Sequence, residues 1–266
     1  MRKFKIRALR LLSTTLILMS TALAVHAQDS FEIQVYEYET VPKGMWNLET
    51  HINFTGKGTK FFEGPAAPTN HQFHLTFELT HGITNNFEMA GYLVLAARPD
   101  GSAEFAGWRL RPRVSLPKSW RLPVDVSISG EVGFPRKVYE ENSVTFELRP
   151  IIEKKLGRWQ LDFNPVIARA LRGPGKKDGW EFEPGVRIGY GVNEKLDLSL
   201  EYYGATGPLH DPLPRGEQVH QFYPGWDWNF SENVVWNFGI GVGVTEAGNR
   251  LVYKSRIGYL FGKKRN

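Results

Sequence analysis

The chain has 266 residues and no cysteine, which excludes a disulfide framework and thiolate metal sites and leaves room for one large β domain or two smaller ones. Residues 1–27 carry five of the 33 Lys and Arg and none of the 28 Asp and Glu, so the remainder is balanced at 28 against 28. The formal charge of +5 is thus a property of the leading segment and offers no argument for a nucleic-acid partner.

In chain order, Arg2, Lys3, Lys5, Arg7 and Arg10 form a basic end, Leu11 to Val25 is largely apolar, and Val25-His-Ala27 is a small-x-small motif. This pattern predicts a secretory signal peptide over 1–27, cleaved near Ala27. The apolar run is short for a membrane-spanning helix. Residues 28–43 form an N-terminal segment, read as periplasmic, with a tuck into the interior of the following domain as the other open placement.

After Gln28 no run of 18 apolar residues occurs, and the recurring period is two, in segments of about ten residues. Twelve strands are predicted within 44–261, followed by a tail, 262–266. Their apolar rows are Trp46, Leu48, Ile52, Phe54; Phe73, Leu75, Phe77, Leu79; Phe87, Met89, Leu93, Leu95; and Trp108, Leu110, Val114, Leu116. Next come Val124, Val126, Ile128, Val132, Phe134; Val144, Phe146, Leu148, Ile152; Trp159, Leu161, Phe163, Ile167; and Trp180, Phe182, Val186, Ile188, Tyr190. The last four are Leu196, Leu198, Leu200, Tyr202; Phe222, Trp226, Trp228, Phe230; Trp236, Phe238, Ile240, Val242, Val244; and Leu251, Tyr253, Ile257, Tyr259, Phe261.

Short turns such as 81–86, 154–158, 191–195 and 231–233 alternate with longer Gly- and Pro-rich connections such as 55–70, 172–179 and 204–218. An even number of alternating strands, short turns on one side and long loops on the other describe an all-β fold. It is a transmembrane antiparallel up-and-down β-barrel, apolar outward and polar inward. Trp46, Trp159, Trp180, Tyr190 and Phe261 flank the rows as aromatic girdles would. A secreted sandwich also alternates, but it does not call for strands this long and evenly flanked by aromatics.

On this phase the inward residues include Arg109, Arg111 and Arg113 of the fourth strand, Glu147 and Arg149 of the sixth, and Glu183 and Arg187 of the eighth. Tyr223 and Asn237 follow on the tenth and eleventh. Together these nine are the candidate pore-lining residues. Pairing around the short turns puts Glu88 beside Arg113, Ala90 beside Arg111 and Tyr92 beside Arg109. It also predicts one rung of Arg111, Ser127, Arg149, Asn164, Arg187 and Ser199. Arg111 then has only Ala90 and a serine as neighbours. Either it sets selectivity for anionic groups, or it is an internal strut balanced by Glu147, Glu183 or Asp162. Gly239, Gly241 and Gly243 also face inward and leave room for a narrow channel.

Five strands share the word apolar-x-Pro-x-apolar, at Pro112, Pro150, Pro165, Pro184 and Pro224. Proline removes a ladder hydrogen bond, so bulges or bends are expected at Pro112, Pro150, Pro184 and Pro224.

The C-terminal run Tyr253-Lys-Ser-Arg-Ile-Gly-Tyr-Leu-Phe261 resembles the signal that outer-membrane barrels present to their insertion machinery. Leu79-Thr-His-Gly-Ile-Thr-Asn-Asn-Phe-Glu88 and Phe182-Glu-Pro-Gly-Val186 resemble a family of Gram-negative barrels known as transporters of the phenol-degradation meta-pathway type. The resemblance implies an outer-membrane location and a pore for small organic molecules. The functional expectation is a narrow passive channel for small polar or organic solutes, with outer-membrane lipid and the insertion machinery as partners. The alternative is a plugged barrel acting as a structural, receptor or adhesin protein through its external loops. No enzyme, cofactor or metal site is read: no serine accompanies His51, His71, His74 and His81, and the three-residue step from His71 to His74 puts them on opposite faces of a strand.

Overall fold

A computed structural model describes residues 29–264; the expected signal peptide over 1–27 lies outside the described residues. Twelve strands run β1 Met45–Lys57, β2 Phe73–Thr84, β3 Phe87–Ala97, β4 Ala103–Ser115, β5 Asp125–Pro135 and β6 Val144–Leu156. They continue as β7 Trp159–Arg172, β8 Glu181–Asn193, β9 Leu196–Ala205, β10 Val219–Ser231, β11 Val234–Gly243 and β12 Leu251–Gly262. Each pairs antiparallel with the next, and β1 pairs with β12, so the sheet closes into a barrel with no free edge. Strands of 10–14 residues match the ~9–11 that a tilted strand needs to cross a bilayer.

Period two sorts the side chains. In β2, His74, Thr76, Glu78 and Thr80 are buried, while Phe73 and Leu79 on the alternate phase are exposed. The pattern is the reverse of a soluble core: Leu93, Leu110, Ile128, Ile188, Leu200 and Ile240 all face out. Such a continuous apolar belt is satisfied only by an apolar surrounding. Aromatic pairs border it at both ends. Trp46–His81 and Trp159–Tyr190 lie at the short-turn end, with centroids 4.1 and 4.8 Å apart. Trp108–Phe134 and Tyr202–Phe222 lie at the loop end, 4.1 and 5.2 Å apart.

The β3–β4 register is the expected one, with Glu88, Ala90 and Tyr92 opposite Arg113, Arg111 and Arg109. The longer rung is not. Arg149 stands opposite Ser129, Asn164 opposite Gly185, and Arg187 opposite Asp162 and Glu201. Turn geometry sets register, and extra residues at hairpin ends, as between Gly191 and Asn193, cannot be counted from the sequence.

The prolines also behave differently from expectation. Register shifts occur towards strand ends, and none at Pro112, Pro150, Pro165, Pro184 or Pro224. Each proline pairs on one side and leaves the ladder open on the other. Pro112 pairs with Met89, for instance, but not with β5. A missing N–H removes a bond without adding a residue, so the ladder opens while the register runs on; a bulge needs an inserted residue.

Residues 29–44 are not a tail outside the barrel. They enter near the loop end, descend through the interior and leave over Gly82 to begin β1. A Cβ on Gly82 would lie 2.2 Å from the Pro42 carbonyl oxygen, so this crossing requires glycine.

Candidate functional site

The segment through the barrel carries apolar Phe31, Ile33 and Val35 and aromatic Tyr36 and Tyr38. Outside a ladder its backbone groups need partners, and inward wall side chains supply them. Asn164 of β7 accepts from Tyr36 N at 2.7 Å and donates to Tyr36 O at 3.0 Å. Glu153 accepts from Tyr38 N at 2.9 Å and Glu88 from Val41 N at 2.6 Å. Arg149 and Lys254 donate to the carbonyls of Gln34 and Ile33 at 3.2 and 3.3 Å, and Arg113 donates to that of Glu39. The guanidiniums of Arg111 and Arg149 both lie over the Tyr36 ring, 4.7 and 4.6 Å from its centroid. Its hydroxyl meets that of Tyr92 at 2.9 Å and bonds Glu32.

All nine residues singled out in the sequence face the interior. Arg109 bonds Glu131 at 3.2 Å and also pairs with Asp29 and Glu32 of the segment. Arg111 is not short of partners: it bonds Glu88 at 3.0 Å, Tyr92 at 2.6 Å, and Glu78. Glu78 lies on β2, two strands away, beyond the adjacent pairs that register reasoning compares. Arg113 pairs with Glu88 at 3.1 Å and Arg149 with Glu147 at 2.6 Å. Arg187 joins Asp162 at 3.3 Å and Asp227 at 2.8 Å, and Asn237 bonds that same Asp227 at 2.9 Å. Glu183 lines a cavity near the loops, and Tyr223 meets Tyr203 edge-on at 5.2 Å.

The glycine-lined wall of β11 leaves no channel. A Cβ on Gly241 would lie 2.2 Å from the Tyr223 ring, and one on Gly239 would lie 3.0 Å from Lys254. The slots the glycines open are filled by side chains from the flanking strands. With Ile33, Val35, Tyr203 and Val252, Tyr223 forms an apolar waist inside the polar barrel.

Two cavities flank this waist and share no lining residue. The larger, about 620 Å³, lies at the short-turn end against Glu49, Glu78, Arg111, Arg187 and Asp227. The smaller, about 260 Å³, lies under the loops against Phe31, Arg109, Glu147, Arg169 and Glu183. Tyr139 stands at its rim, stacked edge-on with Phe31; burial and a hydrogen bond to Glu104 push its hydroxyl pKa up, which keeps it a neutral donor.

Ion pairs between wall strands join strands one to three apart: Arg187 of β8 with Asp162 of β7, Arg111 of β4 with Glu78 of β2, and Lys254 of β12 with Glu201 of β9 at 2.5 Å. The segment ties distant walls together, bonding β3, β6, β7 and β12, and at the loop end Ala67 N of the β1–β2 loop also donates to Val138 O of the β5–β6 loop at 2.8 Å. Sequence reasoning did not single out Glu49, Glu78, Asp227, Lys254 or Arg256, and it weighed His51 only to set a hydrolase aside. The signal for the segment was present: Phe31, Ile33, Val35 and two tyrosines are too apolar for a solvated tail.

The fold is that of a twelve-stranded antiparallel outer-membrane β-barrel. No family model matches the chain, and no curated protein does. Among solved structures, the KdgM porin matches with a TM-score of 0.53 at 10% identity, over 81% of this chain and 99% of that one. The NanC porin matches with a TM-score of 0.53 at 7% identity, over 82% and 99%. At such identities the likeness concerns the fold.

Proposed function

We propose that the protein is an outer-membrane conduit for small polar or organic solutes, closed by its own N-terminal segment. One observation carries this reading. The ion pairs of Arg111, Arg187 and Lys254 stitch the wall between strands one to three apart, whereas residues 29–41, which are not part of the wall, span the bore between two cavities. Withdrawal of the segment leaves these wall-to-wall ion pairs in place. The candidate lining residues, Arg109, Arg111, Arg113, Arg149, Arg187, Glu147, Glu183, Tyr223 and Asn237, then face the path.

The location that goes with this reading is the outer membrane of a Gram-negative bacterium, after cleavage near Ala27. Insertion proceeds through the C-terminal strand, by the run that closes at Phe261. The motif resemblance to phenol-pathway transporters supports aromatic or organic-acid solutes. The docked segment itself favours a second reading, a permanently plugged barrel that acts through its loops. Planar-bilayer recording separates them. A variant lacking residues 29–41 should give steady conductance steps where the mature chain gives few. A silent deletion variant that still shows heat-modifiable migration would refute the conduit.

A further inference from the structure

Glu49 and His51 point inward from β1, and Glu78 faces them from β2 as the cross-strand partner of Glu49. All three are at least nine-tenths buried. His51 Nε2 lies 3.6 Å from Glu78 Oε2 and 4.0 Å from Glu49 Oε2, both too long for a hydrogen bond. Neither His51 Nε2 nor Glu78 Oε2 has a hydrogen-bond partner, an arrangement that leaves buried polar atoms aimed at a shared point.

The spacing fits an ion. Ligand atoms bound at ~2.0–2.2 Å in a tetrahedral shell stand roughly 3.4 Å apart. Glu78 and His51 are near that separation already, and a small rotation brings Glu49 in. The remaining oxygens are occupied: Glu49 Oε1 accepts from Arg256 at 2.5 Å, and Glu78 Oε1 accepts from Thr80 at 2.9 Å and from Arg111. Outer-shell donors of this kind fix the direction of ligating carboxylates. Glu49 and Glu78 line the larger cavity, so a hydrated ion has a route in and water can complete the shell.

We propose that Glu49, His51 and Glu78 form a three-ligand site for a divalent transition metal of the zinc class. An imidazole nitrogen with two carboxylate oxygens suits zinc; magnesium and calcium demand larger all-oxygen shells. Any proton on Nε2 passes to cavity water when the metal binds.

The test is a zinc titration of the refolded, chelator-stripped mature barrel against a competing chromophoric chelator, with magnesium as control. The expected result is stoichiometric zinc, no competition by magnesium, and an affinity at least ~10-fold weaker in His51→Gln. Zinc should raise the unfolding midpoint of the parent protein and not of that variant. If His51→Gln does not fold, Glu49→Gln carries the comparison. If both fail, the zinc X-ray absorption spectrum of the parent protein decides, by showing one imidazole among oxygen ligands or none. No stoichiometric zinc, or equal affinity in the variants, overturns the site and points to surface histidines.

Discussion

Asn164 holds Tyr36 from both sides, its amide oxygen taking the backbone N–H at 2.7 Å and its amide nitrogen bonding the backbone carbonyl at 3.0 Å. The wall thereby mimics, with one side chain, the exchange a neighbouring strand would make. Two hydrogen bonds at ~0.5–1.5 kcal/mol each put the hold at about 1–3 kcal/mol. Asn164→Ala should loosen the segment while the barrel stays intact. Amide exchange across residues 32–41 should speed up, and conductance events should become more frequent. Unchanged exchange there would mean the other contacts suffice.

Arg111 is a strut in this structure. Removing it leaves Glu78 and Glu88 buried beside fewer cations, a loss that costs ~3–5 kcal/mol when a buried pair is broken. Arg111→Ser should therefore lower the urea midpoint strongly, whereas Arg149→Ser, at a more exposed pair, should cost less. In the variant lacking residues 29–41, Arg149→Ser should shift reversal potentials towards cations; an unshifted potential would remove Arg149 from the path.

Gly241 makes space for Tyr223. Gly241→Leu drives a side chain into the ring, and overpacking of this kind costs ~1–3 kcal/mol. The added change Tyr223→Ala should restore part of the loss. Unfolding of the single and double variants in detergent measures this coupling, and strict additivity would deny the contact.

Pro150 and Pro165 stand opposite each other where the β6–β7 ladder is open between Leu148↔Ile167 and Ile152↔Phe163. Two missing donors share one vacated site. The double change Pro150→Ala and Pro165→Ala supplies two N–H groups, at ~0.5–1.5 kcal/mol per new bond. The more flexible unfolded chain offsets this by ~0.4–1 kcal/mol per proline. Stability should barely move, yet the amides introduced at positions 150 and 165 should be protected from exchange. Rapid exchange there would show that the gap is held open by something other than the prolines.

The barrel was legible because its cause is local. Alternation at positions such as Phe73, His74, Leu75 and Thr76 fixes which side of a strand is apolar, whatever the neighbours are. Strand number and the inward phase of Arg109, Arg111 and Arg113 follow from that period alone. The partners of Arg111 were not legible, because Glu78 reaches it from two strands away. Nor was the fate of the glycine slots, because Tyr223 fills Gly241 from the next strand.

By itself the sequence determined the alternation and the outward apolar belt, which depend on residues two apart in one strand, and the barrel class, which the even strand number, the short turns facing long loops and the flanking aromatics marked. Tertiary structure alone decided the register of the middle strands, the pairing of the lumen charges and the course of residues 29–44 through the bore. These depend on turn geometry and on distances across a closed cylinder, which no one-dimensional period encodes.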